Sequence, residues 1–231
     1  MTNQSFDPQA QAEFDRYAGS YRDMHASSVA VSGEAPEYFA IYKQKVLERM
    51  LGARFDRPVL DFGCGIGNLT LHLAKSFETV HGYDPSAESV KLAATRAPKA
   101  TFFHETEALP KDHYGAAVIA NVLHHVPVAD RLSLLRGVAD TLAPGGRLII
   151  FEHNPWNPVT RHAVRSCAFD DNAILLSPRE VRRLLKATGL TDVELDYIVF
   201  FPRALAFARG LEASLRRVPL GAQVFAWGVK R

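Results

Sequence analysis

Three glycines at alternate positions follow a short apolar run in Val59-Leu60-Asp61-Phe62-Gly63-Cys64-Gly65-Ile66-Gly67-Asn68-Leu69-Thr70, and a helical pattern comes after them. A strand that gives way to a helix through such a turn brings main chain, not side chains, against whatever binds there. Lacking Cβ atoms, Gly63, Gly65 and Gly67 are free to take positive φ and to let a ligand approach the backbone closely. One glycine here would imply only an ordinary tight turn.

The spacing counts against an NAD-type dinucleotide, which leaves an NAD-dependent oxidoreductase as a third and poorer reading, and a phosphate loop is excluded. A dinucleotide fingerprint needs G-x-G-x-x-G, so that a helix N-terminus meets the pyrophosphate, and Asn68 stands where its third glycine belongs. No phosphate loop ending in Gly-Lys and a hydroxyl residue occurs either. Farther on, Thr79-Val80-His81-Gly82-Tyr83-Asp84 reads as a second strand ending in a carboxylate that can accept from both hydroxyls of a ribose.

The pattern Asp61-x-Gly63-x-Gly65-x-Gly67 with Asp84 closely resembles motifs I and II of the class I S-adenosylmethionine-dependent methyltransferases. The resemblance runs from about Leu51 to Phe151 and more loosely beyond. It implies that Gly63, Gly65 and Gly67 lie beside the methionine part of the cofactor, that Asp61 helps hold its ammonium group, and that Asp84 binds the ribose. Pro85 and Asn121 are expected as further cofactor contacts. The segment Phe103-His104-Glu105-Thr106-Glu107-Ala108-Leu109-Pro110 is similar to the acidic stretch after strand three of the family, whose acid lies near the adenine amino group; Glu105 takes that role, with Glu107 as a competitor. Many members close an aromatic N-terminal helix over the cofactor, which brings in Tyr21, one turn from Tyr17. At Tyr114-Gly115 the chain departs from the family, where an aromatic followed by Asp is usual, and the local turn is left in question.

Two more segments point to the acceptor. Asn121-Val122-Leu123-His124-His125-Val126-Pro127 resembles the strand-four exit of small-molecule methyltransferases, including the quinone-modifying branch. Adjacent side chains there point in different directions, so at most one histidine faces the substrate. His124 is taken as a candidate base and His125 as a substrate contact, with packing in a recurring turn as the alternative for both. The string Glu152-His153-Asn154-Pro155-Trp156-Asn157-Pro158 resembles a bacterial subgroup found beside glycan and lipid pathway enzymes. His153 is the second candidate base, and Glu152 and Asn154 are expected to grip a polar acceptor. Asn154 and Asn157 could equally pin the loop through Asx-type bonds.

Composition agrees with a single soluble enzyme domain. A chain of 231 residues that is 47% hydrophobic can bury a core without disulfides or metal. Its net charge of +2 is small and evenly spread along the sequence, with no basic run among aromatics, which argues for a small-molecule acceptor over nucleic acid. Cys64 and Cys167 lack metal or disulfide spacing, and Cys64 is read as a packing residue and not a nucleophile. No leader pattern or spanning apolar run appears, so a cytoplasmic protein is expected.

Alternation of strand and helix patterns predicts a doubly wound α/β fold, a mostly parallel seven-stranded sheet with helices on both faces. A helix over Pro36–Leu51 precedes strands near Val59–Phe62, Thr79–Tyr83, Ala100–His104, Ala116–Ala120, Arg147–Phe151, Val193–Phe200 and Gln223–Val229. Residues 1–35 read as a cap and 36–231 as the catalytic domain, with substrate-side insertions near 153–177 and 201–221. In the latter, Phe201, Leu205, Ala208, Leu211 and Leu215 recur at helical spacing with arginines alongside. A core-covering helix is preferred there to an amphipathic patch that touches a membrane or lipid-linked acceptor.

The expected activity is methyl transfer from S-adenosylmethionine to a small-molecule hydroxyl, without metal. The alternatives are a C- or N-methyltransferase on a quinone-like or lipid-linked acceptor, and a non-catalytic cofactor-binding protein of the same fold.

Overall fold

The computed structural model describes residues 32–52, 54–167 and 172–231. Helix α1 (Pro36–Leu51) precedes β1 (Val59–Phe62), followed by α2 (Thr70–Ser76), β2 (Val80–Tyr83), α3 (Ala87–Arg96), β3 (Thr101–Phe103) and β4 (Tyr114–Ala120). The order continues with α4 (Arg131–Thr141), β5 (Leu142–His153), α5 (Pro158–Arg165), α6 (Pro178–Ala187), β6 (Thr191–Ile198), the short α7 (Glu212–Leu215) and β7 (Gln223–Val229). The strands form one sheet in the order β3-β2-β1-β4-β5-β7-β6. Pairing is parallel from β3 through β5, and β7 runs antiparallel to both of its neighbours.

A central parallel strand is covered on both faces and reads as continuous burial, as β1 does at all four positions. Val59 packs with Val118, Ile149 and Phe151 against Leu47 of α1 and Leu73 of α2. Leu60 and Phe62 point the other way, toward Leu135 of α4 and Leu185 of α6. Helix starts follow from side chains: Ser86, Asn157 and Ser177 accept the backbone N–H of Ser89, Thr160 and Glu180 at 3.1, 3.0 and 3.2 Å. Each such cap contributes about 1 kcal/mol.

From β1 the chain builds outward to β2 and β3, then returns to β4 on the other side of β1. Strand order reverses at that point, and a crevice opens beyond the carboxyl ends of the strands.

Two local expectations change. Gly115 lies inside β4, where a Cβ would stand 2.5 Å from Arg57 Cβ and 2.7 Å from the Phe55 ring. Glycine therefore lets the 55–57 segment cross the strand, and Tyr114 Oη meets His81 Nδ1 at 2.9 Å. The core-covering helix expected within 201–221 is absent. Its place is taken by a 3₁₀ stretch, Arg203–Leu211, kinked at Leu205 and burying none of its residues, then by the single turn of α7. An antiparallel return from β6 to β7 needs no crossover helix, and α6 already packs on both strands.

Candidate active site

The three glycines of the loop share positive φ, 78° at Gly63, 51° at Gly65 and 79° at Gly67, for different reasons. A Cβ on Gly63 would overlap Val122 at 2.4 Å, and one on Gly67 would press on Ala93 of α3 at 3.0 Å. At Gly65 it would meet nothing within 4 Å, because that face opens into the cleft. Asp84 fastens the loop: its Oδ2 accepts the Gly65 N–H at 2.8 Å and its Oδ1 the Ser86 N–H at 3.0 Å. An ionised carboxylate has about four acceptor sites, so capacity remains for ligand hydroxyls.

Asp61, Gly63, Gly65, Asp84, Pro85 and Asn121 all line this cleft. Gly67 does not; its backbone is used to seat α3. Glu105 does not either, since β3 is short and the 3₁₀ turn Thr106–Ala108 carries the chain outward, leaving the Glu105 side chain 69% exposed, 3.8 Å from His104. Glu107 is exposed as well. Tyr21 lies outside the described residues.

Two charges meet at the cleft floor. Asp61 Oδ2 accepts the Thr70 hydroxyl at 2.6 Å. Burial pushes the Asp61 carboxyl up to about 6, with Asp84 adding to the rise and Thr70 and Lys43 opposing it. Lys43 of α1 also lines the cleft and is nearly fully buried. Burial lowers its ammonium to about 8, partly offset by Glu152 and Asp61. The sequence reading missed Lys43. Its signal was a cation on the apolar stripe of α1, at three-residue spacing between Ala40 and Val46. Asn121 takes a left-handed φ of 57°, and its Oδ1 is buried with no hydrogen-bond partner among the described residues. Such an acceptor is unfavourable until a donor reaches it, so this pocket fits a ligand carrying an ammonium group.

The strand-four exit is arranged differently from expectation. Glu152 is fully buried: Oε1 accepts the N–H groups of Val122 and Leu123 at 3.1 and 2.8 Å, and Oε2 lies 2.7 Å from His124 Nδ1. Burial alone would raise its carboxyl, yet His124, His153 and the Leu123 N–H hold it below the usual carboxylate range. Glu152 is thus a brace for the 122–124 turn and not a grip on the acceptor. His124 is buried beneath that turn, its ring centroid 4.2 Å from His125 and 5.1 Å from His153. Of the three histidines only His125 lines the cleft. The placement of the pair is therefore the reverse of the expected one, and His153 does not reach the cleft wall. Asn154 Nδ2 donates to the Pro219 and Gly221 carbonyls at 3.2 and 2.8 Å, and its Oδ1 accepts the Trp156 N–H at 3.1 Å, so it pins the loop and faces no acceptor.

Arg131 was missed as well, and for it the sequence carried no signal. Fully buried, it donates to the Val126 and Ile174 carbonyls and pairs with Glu180 at 2.9 Å, holding the 174 segment against the turn. Burial pushes the Cys64 thiol up, helped by Asp61 and Asp84, which suits a packing residue. Among the described residues no three His, Cys, Asp or Glu side chains are grouped so as to hold a metal.

The profile of a family described as a methyltransferase domain matches residues 36–195. The chain is 25% identical to the ubiquinone biosynthesis O-methyltransferase of Vibrio parahaemolyticus over 226 residues, covering 86% of this chain and 89% of that protein. It is 26% identical to an uncharacterized methyltransferase of Halobacillus halophilus over 146 residues, 60% of this chain and 64% of that protein's length. Two solved structures share the fold. A SAM-dependent methyltransferase of Thermotoga maritima, described as a possible histamine N-methyltransferase, aligns at TM-score 0.68 and 18% identity, covering 96% of this chain and 100% of that one. The magnesium protoporphyrin IX methyltransferase of Synechocystis, with bound SAM, aligns at TM-score 0.63 and 17% identity, with 100% of each chain covered. The family match spans both the glycine loop and the exits of β2 and β4 that form the cleft, and the chain belongs to the S-adenosylmethionine-dependent methyltransferases.

Proposed function

We propose that the protein methylates a hydroxyl group on a small molecule, with His125 taking the proton from the acceptor. The observation that carries this reading is the position of His125, the imidazole that lines the cleft among the described residues. It follows β4, whereas Asp84 follows β2, and β1 lies between them. If the ribose is anchored at Asp84, the acceptor is left the β4 side.

The remaining roles follow from the same placement. Asp84 would hold the ribose hydroxyls, the backbone at Gly63 and Gly65 would lie along the methionine part, Asp61 and Asn121 Oδ1 would take the ammonium, and Lys43 the carboxylate. When bound, S-adenosylmethionine supplies a methyl group already activated on a sulfonium. The residues of the chain must then position the reactants and exclude water, and an imidazole near neutral pH is suited to receive a hydroxyl proton. The buried His124–Glu152 pair backs His125 and fixes the turn that carries it. The O-methyltransferase name of the Vibrio relative supports an oxygen acceptor. Segments 153–177 and 201–221, which follow β5 and β6 and hydrogen-bond to one another through Asn154, are assigned to the acceptor side, and residues 1–35 to a cap.

The test pairs a screen of hydroxyl, amine and carbon acceptors, read as a mass gain of one methyl group, with His125→Ala. Turnover is expected to fall on the order of a hundredfold, while S-adenosylmethionine affinity by calorimetry stays within about threefold, since the ribose and ammonium contacts remain. Undiminished turnover of His125→Ala at every pH, or turnover with amines alone, overturns the reading.

A further inference from the structure

Nine large hydrophobic side chains among the described residues stand well open to solvent, and six of them fall in just two segments: Trp156 and Val159 in 155–165, and Leu205, Phe207, Leu211 and Leu220 in 201–221. Phe207 is 86% exposed. The two segments adjoin where Asn157 Nδ2 donates to the Leu220 carbonyl at 2.7 Å and, just beyond, Thr160 Oγ1 donates to the Ala222 carbonyl at 3.0 Å.

The same segments hold six arginines and one acid. That acid, Glu212, is buried and engaged by the Tyr42 hydroxyl and the Phe200 N–H. Glu34 pairs with Arg209, and Glu194 and Asp196 pair with Arg216 and Arg217. Arg161, Arg165 and Arg203 are exposed and make no ion pair among the described residues. For a chain of net charge +2 this is a concentration of positive charge in two adjoining segments.

Exposed rings amid unpaired arginines suit a partner that offers anions and hydrocarbon in one plane. A highly charged partner would leave Phe207 unused, and an apolar one would strand the arginines. We propose that this face docks the protein on an anionic lipid bilayer, with Phe207, Leu211, Leu220 and Trp156 entering the headgroup boundary and Arg161, Arg165 and Arg203 against lipid phosphates. Attachment is peripheral, since no described helix is long and apolar enough to cross a membrane. The face borders the cleft: Arg209 lies over the Tyr38 ring at 4.5 Å, at the start of the helix whose Phe39, Ala40 and Lys43 line it. The inference stands whether or not the acceptor is a hydroxyl.

The experiment is co-sedimentation of the full chain with vesicles of phosphatidylcholine alone and of phosphatidylcholine mixed with phosphatidylglycerol, at low and high salt. Binding is expected to the mixed vesicles, weakened at least about tenfold by omission of the anionic lipid or by molar salt. The pair Phe207→Asp with Leu211→Asp, and separately Arg161→Glu with Arg203→Glu, should each weaken it at least about tenfold with S-adenosylmethionine affinity and the melting temperature unchanged. Equal binding to neutral and anionic vesicles, no binding to either, or full binding by the variants overturns the proposal. So does a Phe207→Asp chain that loses self-association in the ultracentrifuge but keeps its vesicle binding, for the face is then an interface between copies.

Discussion

Where β1 and β2 end, the bonds that shape the cleft close short loops. Gly65 and Asp84 are 19 residues apart, and Asp61 and Thr70 are 9 apart. Where β4 and β5 end, Glu152 reaches back 28 to 30 residues to the 122–124 turn, and Asn154 reaches 67 residues forward to Gly221. The electrostatics differ in the same sense. Asp61 and Lys43 are pushed away from their charged forms, whereas Glu152 is held in its charged form by three donors. Groups held away from their charged forms are those a ligand of opposite charge can relieve, and groups already satisfied are scaffold. One end of the cleft is therefore poised for binding, and the other is braced so that His125 can face outward.

Asp84→Ala is the harshest test of the poised end. Charge-assisted hydrogen bonds contribute about 1.5–3 kcal/mol each, so loss of the ribose contacts should weaken S-adenosylmethionine binding at least about a hundredfold in calorimetry. An unchanged affinity would remove Asp84 from the site and erase the contrast.

Glu152→Ala tests the braced end. It strands the buried Leu123 N–H, the half-buried Val122 N–H and His124, and chemical denaturation should show a loss of about 3–5 kcal/mol. A loss well under about 1 kcal/mol, the size of one ordinary hydrogen bond, would mean that Glu152 is not a brace.

Asp61→Asn and Lys43→Met should do the opposite, each stabilising the ligand-free protein by up to about 3 kcal/mol while weakening cofactor binding. For Asp61 burial pushes the folded carboxyl up to about 6 from its ordinary 3.8, so the folded state binds more protons between those values. Stability therefore falls as pH rises through that window, and the gain from Asn is absent below 3.8 and complete above about 6. For Lys43, lowered to about 8 from 10.5, the unfolded chain binds more protons between those values, so the gain from Met is complete below about 8 and fades toward 10.5. Denaturation midpoints across pH check both signs; a pH-independent gain would show that burial of these charges is not its source.

The smallest expected effect is that of Asn157→Ala, which removes the cap of α5 and one tie to Leu220. A loss of about 1 kcal/mol is expected. A much larger loss would show that this loop, too, is braced in depth.

What the sequence by itself determined about this protein is what backbone conformation dictates locally. Alternate glycines require positive φ, strands buried on both faces read as apolar runs, and a carboxylate at the end of β2 meets the loop after β1 in any sheet of this topology. Helix α1, β1 and β7 begin and end where apolar spacing and turn residues place them. Tertiary structure alone decided the rest, wherever the outcome depended on side-chain direction or on partners far along the chain. His124 and His125 are neighbours in one 3₁₀ turn, and no periodicity says which is drawn inward until Glu152 arrives on the adjacent strand. Gly67 looks like its two companions until Ala93 of α3 is found against it. Lys43 reads as an ordinary helix cation until Asp61 and Glu152 flank it, and the 201–221 stretch reads as a core-covering helix until α6 is seen already occupying that face of the sheet.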